Sequence, residues 1–148
     1  MNYQEQQESK AYNTVLDYLR TVRLNPSNRD AAWEHFLLVL EELSVDSNFK
    51  SAVQFWTLDN LEQHHPEAIR IRDLHEIEGV MISMPAYARL LDATHHGMIS
   101  FPQGERLIEE MLESCEVQDD GCDASRMEQS LLHLWKKNMS KYKDLKIN

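Results

Sequence analysis

Seven histidines supply the side chains best suited to hold a metal in this chain, and three of their positions have a carboxylate within helical reach. His64 and His65 follow Glu62, His75 precedes Glu78, and His95 and His96 follow Asp92. Imidazole nitrogens combined with carboxylate oxygens suit zinc or iron. Di-iron helical bundles take a Glu-x-x-His pair from each of two helices and further carboxylates from two more. Glu62-x-x-His65 supplies one pair only, and Pro66 follows at once, placing it at a helix end. Adjacent histidines also point in different directions on a helix. The histidines are therefore read as satisfied or solvent-facing, and no residue is assigned to a metal. A metal-dependent enzyme using His and carboxylate ligands is the third functional reading. Nucleophilic chemistry has less support still. There is no Gly-x-Ser-x-Gly, no phosphate-binding glycine loop and no Cys-x-x-Cys. Cys115 falls at a helix C-terminus, where the helix dipole disfavours a thiolate. No catalytic residue and no cofactor are assigned, and the chain is read as a non-enzyme.

Charge is more informative. Fifteen Lys and Arg face twenty-five Asp and Glu, a net charge of −10. Five lysines and one aspartate from Lys136 onward make a local +4, which leaves −14 on the remainder. Such a surface repels phosphate backbones and anionic headgroups, so the expected partner is neither nucleic acid nor membrane. It steers a basic protein surface instead. Between Glu105 and Glu128 nine acids stand against two arginines. Glu109, Glu110 and Glu113 lie beside the apolar stripe Leu107, Ile108, Met111, Leu112, so they should project into solvent. Asp119, Asp120 and Asp123 extend the negative surface in the following loop. These six acids are the expected partner-binding residues. The leading functional reading is an acidic protein–protein interaction module: an inhibitor, immunity-type factor, adaptor or assembly chaperone for a basic partner surface.

A short phrase recurs seventeen residues apart: Met81-Ile82-Ser83-Met84-Pro85, then Met98-Ile99-Ser100-Phe101-Pro102. Each copy follows a glycine closely, Gly79 or Gly97, and each reads as a helix entrance. A serine caps, and proline sits in the first turn, where its missing N–H costs nothing. The segment Asp92 to Gln103 around the second copy resembles the calcium loop of the EF-hand family. Asp92 matches the first ligand, Gly97 the sharp turn and Ile99 the inward apolar residue. The resemblance implies a regulatory helix-loop-helix protein, the alternative functional reading. The segment departs from the family where Thr94 and His96 occupy the third and fifth ligand places and Gln103 replaces the final bidentate glutamate. One carboxylate is too few hard oxygens for calcium. A DNA-reading helix-turn-helix is rejected, because Glu105, Glu109, Glu110 and Glu113 on its second helix would be repelled by phosphates. Met81, Met84, Met98, Met111 and Met127 are read as core filling.

The elements that must position these groups are all helical. A stripe of Tyr12, Val15, Leu16, Leu19 and Val22 ends at Asn25-Pro26. The stripe of Ala32, Trp33, Phe36, Leu37, Leu40 and Leu43, widened by Leu38 and Val39, is the strongest and is expected at the centre of the core. Asp46-Ser47-Asn48 caps a third helix carrying Phe49, Ala52, Val53 and Trp56, and Pro66 opens a fourth with Ile69, Leu74 and Ile77. The repeat helices are expected near 84–95 and 101–115. After the loop 116–123, Ser125-x-x-Glu128 reads as a capping box for the last helix. No segment alternates apolar and polar residues over a useful length. The expected fold is all-α, a compact bundle of six or seven short helices joined by tight turns. The domain reading is a frayed polar N-terminus over 1–9, one helical domain over 10–139 and a basic tail over 140–148. With no signal-peptide pattern and no membrane-length apolar run, the expected location is cytoplasmic.

Overall fold

A computed structural model describes residues 1–64, 82–114 and 123–142. Among them are six α-helices: α1 (Tyr3–Leu24), α2 (Arg29–Glu42), α3 (Ser47–Gln63), α4 (Met84–His95), α5 (Phe101–Ser114) and α6 (Ala124–Asn138). Two three-residue 3-10 turns, Pro26–Asn28 and Ser140–Tyr142, complete the order. The described residues contain no strand beyond an isolated bridge at Ile82, so the protein is all-α as its apolar periodicity requires. The helix expected after Pro66, both cysteines and most of the 116–123 loop lie outside the described residues. The chain separates into two compact units, Met1–His65 with Trp135–Asn148, and Pro66–Leu134.

In the first unit, α1 starts well before the expected stripe. The Asn2 side chain accepts the Glu5 N–H at 2.8 Å, capping a helix that begins at Tyr3. The polar residues expected to fray are therefore helical, and Gln7 and Glu8 are buried. Gln7 accepts the Ser44 N–H at 3.0 Å, while Lys136 donates to Glu8 at 2.8 Å. These bonds satisfy groups that burial would otherwise penalise. Beyond them the buried stripe runs Ala11, Tyr12, Val15, Leu16, Tyr18, Leu19, Val22. α1 packs against both α2 and α3.

α2 is less central than expected. Only Phe36 and Leu40 are buried, Trp33 is half-buried and Leu38 is 67% exposed. Among the described residues it packs chiefly on α1, and an eight-residue apolar surface is wider than that one contact covers. α3 behaves as its sequence predicts. Asp46 accepts the Phe49 N–H at 2.7 Å, and Phe49, Ala52, Val53, Trp56, Thr57 and Asn60 form a single buried face. The core of this unit centres on Trp135, which is fully buried. Tyr12, Phe49 and Trp56 meet it edge-on at centroid distances of 5.4, 6.2 and 5.9 Å.

In the second unit, Ile82, Leu90, Met98, Ile99, Ile108, Met127 and Leu131 are essentially inaccessible. Met98, Met111 and Met127 fill core as expected, whereas Met84 is 73% exposed and Met81 lies outside the described residues. The entrance of α6 also differs from expectation. Asp123, not Ser125, accepts from the first turn, taking the Arg126 N–H at 2.9 Å. An aspartate two residues upstream captures the cap, and Glu128 is released to pair with Arg89 at 2.5 Å.

Candidate functional site

The acidic face depends on how α4 is stopped and α5 is started. Gly97 takes φ 75°, the left-handed conformation that a Cβ would disfavour. Met98 N–H then reaches back to Ala93 O at 2.9 Å, and Gly97 N–H to Thr94 O at 3.2 Å. That pair of bonds is a Schellman motif, and its apolar accompaniment is present, because Met98 and Ala93 are both fully buried. Ser100 follows as cap. Its hydroxyl accepts the Gln103 N–H at 3.2 Å, while Gln103 Oε1 accepts the Ser100 N–H at 2.8 Å, a reciprocal capping box.

This geometry consumes the groups that resemble calcium ligands. Residues 92–95 are still helix, and helix resumes at Phe101, so the connection spans 96–100. Thr94 donates its hydroxyl to the carbonyls of Leu90 and Leu91, at 3.1 and 2.9 Å. Asp92 Oδ1 lies 3.7 Å from His96 Nε2, an i,i+4 pair within one helical turn. Gln103 is occupied by the cap. The sequence that resembles an ion loop serves here as two helix caps back to back. Of the other histidine pairs, Glu62 is exposed and His64 half-buried at the end of α3, while His65, His75 and Glu78 lie outside the described residues. Among the described residues, no three His, Cys, Asp or Glu side chains cluster for one ion.

α5 then presents its charges as its periodicity dictates. Leu107, Ile108 and Met111 are buried, and Glu109, Glu110 and Glu113 are exposed. Glu109 and Glu113 are one turn apart, with Arg106 one turn before Glu109, also exposed. Asp123 is exposed as well, though its carboxylate is engaged as the α6 cap. Asp119 and Asp120 lie outside the described residues. The structure thus brings three of the six expected acids onto one solvent-facing helix surface. It can attract a basic surface.

Sequence reasoning missed a different feature, a cleft of about 360 Å³ between α1 and α2. Its wall includes Tyr18, whose ring lies 5.2 Å from that of Phe36 and 5.4 Å from that of Trp33. The Tyr18 hydroxyl is buried and has no partner in hydrogen-bonding geometry. Burial pushes its phenol pKa up, opposed by the nearby Arg29 guanidinium. The only sequence signal was a polar α1 face at helical spacing, Thr14, Asp17, Thr21, which is indistinguishable from an ordinary solvated face. In comparisons with protein-family models, curated proteins and solved structures, nothing matches this chain.

Proposed function

We propose that this protein is an acidic interaction module, acting through contact with a basic protein surface rather than through catalysis. It would serve as an inhibitor, immunity-type factor, adaptor or assembly chaperone. The observation that carries this reading is the row Glu109, Glu110 and Glu113, exposed on a helix whose opposite face, Leu107, Ile108 and Met111, is anchored in the core. A fixed helix holds the three carboxylates in register, so a partner meets a preorganised negative surface. The net charge of −10 adds a long-range field of the same sign. Such a field speeds encounter more than it tightens the final complex, and salt screens it over about 8 Å at physiological strength.

The test is a pull-down from the native host, repeated at low and high salt, with the Glu109→Lys, Glu110→Lys, Glu113→Lys triple variant beside the unaltered chain. A partner of basic surface should be retained at low salt by the unaltered chain alone. Equal capture of that partner by the triple variant would remove α5 as the functional face. Because all three residues are exposed, the variant keeps its helical circular dichroism.

A further inference from the structure

We propose that the cleft between α1 and α2 is a binding site for a small organic amine, an ammonium group carried on an apolar or aromatic body. Its volume of about 360 Å³ falls within the range of roughly 300–1,000 Å³ typical of small-molecule sites. Asp17 and Tyr18 line it from α1, and Ala31, His35 and Phe36 line it from α2, with Asn28 immediately before that helix. From Asn28 these α2-side positions follow at i+3, i+7 and i+8, one helical face, so the wall is a designed surface of regular structure rather than a gap between loops.

Chemistry of the lining selects the ligand class. Asp17 is the one fixed charge on the wall. Arg20 donates to its Oδ1 at 3.2 Å, which leaves Oδ2 without a donor among the described residues. The side chains of Asn28 and His35 likewise make no hydrogen bond among those residues, so both can orient a polar head. The rings of Tyr18 and Phe36 are buried against each other behind the wall, and exposed Ala31 leaves room for the body of the ligand. Arg29 and Asp30 act on Tyr18 with opposite sign, Arg29 the more strongly. The chain's −10 charge enriches cations near its surface and depletes anions. An ammonium at Asp17 with its carbon skeleton over Ala31 fits the one fixed charge of the wall and its apolar floor. A carboxylate in the same place would oppose both the local and the global charge. This site shares no residue with the acidic face of α5, so either reading can fail alone.

Phenethylamine, 2-phenylethanol and phenylacetate share one body and differ in charge. Each is titrated into the full chain while backbone amide resonances are followed by NMR. Phenethylamine should shift amides around Ala31 and along the facing turns of α1, saturating at the lowest concentration of the three, with phenylacetate last. Asp17 is 74% exposed, so Asp17→Asn should weaken the amine by only about three- to fivefold and leave the alcohol unchanged. Ala31→Leu should fill the cleft and abolish the shifts for all three probes. Shifts absent from α1 and α2, an alcohol binding as tightly as the amine, or unaltered amine affinity in Asp17→Asn would each overturn the assignment. The Asp17 variant keeps the test decisive even if Ala31→Leu perturbs packing, because the side chain it alters lies at the surface.

Discussion

α1 and α2 pack against each other yet are buried to very different degrees. α1 buries nine of its 22 residues, Gln7 and Glu8 among them. α2 is the more apolar by composition, but it buries Phe36 and Leu40 alone of its 14 residues and leaves Leu38 67% exposed. The difference lies in their surroundings. α1 has α2 and α3 against it, and Trp135 edge-on to its Tyr12. α2 rests on α1. The number of neighbours decides how wide a stripe disappears from water, and a helix in the middle can bury polar groups when a partner satisfies them.

The strongest way to break that comparison is to remove the ring around which the first unit is built. Trp135→Ala should cost about 3–5 kcal/mol in urea unfolding, because it opens a cavity bordered by Tyr12, Phe49 and Trp56. A paired substitution sharpens it. Leu19→Ala on α1 should cost about 2–5 kcal/mol, and Leu38→Ala on α2 less than about 0.5 kcal/mol, although both delete the same atoms. Equal losses would mean that something covers the outer face of α2. Trp33, half-buried, should fall between them at about 1–2 kcal/mol when changed to alanine.

The buried polar end of α1 gives a smaller effect. Lys136→Ala leaves Glu8 buried without its cation and should cost about 2 kcal/mol, most of which Glu8→Gln in the same chain should restore. In the second unit, Ser83 and Ser100 offer a contrast of their own. Both serines cap, but Ser100 has Gln103 to return the bond, whereas the matching Ala86 cannot. Ser100→Ala should cost about 1 kcal/mol, and Gln103→Ala a further few tenths.

The smallest effect is seen by titration. Tyr142 donates its hydroxyl to Asp59, and its phenol is pushed up to about 12, first by burial, then by that hydrogen bond and the Asp59 charge. A raised folded pKa means the contact contributes fully below the unfolded value near 10 and is lost as pH rises through about 12. Tyrosinate absorbance should lose a late-titrating component, centred near 12, in Tyr142→Phe. An unchanged titration curve in that variant would detach the 3-10 turn from α3.

Local sequence alone determined several of the helix ends. Asp46, Ser83, Ser100 and the Gly97 stop act within four or five residues of the backbone groups they satisfy, so residue type and spacing are sufficient to read them. The exposure of Glu109, Glu110 and Glu113 was legible for a related reason, since a 3.6-residue repeat fixes the face opposite an apolar stripe. The resemblance to a calcium loop was also visible in the letters, but backbone geometry decided otherwise. Helix persists through His95, and Thr94 and Gln103 satisfy nearby backbone before any ion could claim them. Tertiary structure alone decided that Gln7 and Glu8 would be buried, because their partners, Ser44 and Lys136, are 37 and 128 residues away in sequence. It decided too that α2 would expose Leu38 and that two helices would leave a cleft beside Asp17. Burial and concavity are properties of what packs alongside a helix, and no repeat within the helix encodes its neighbours.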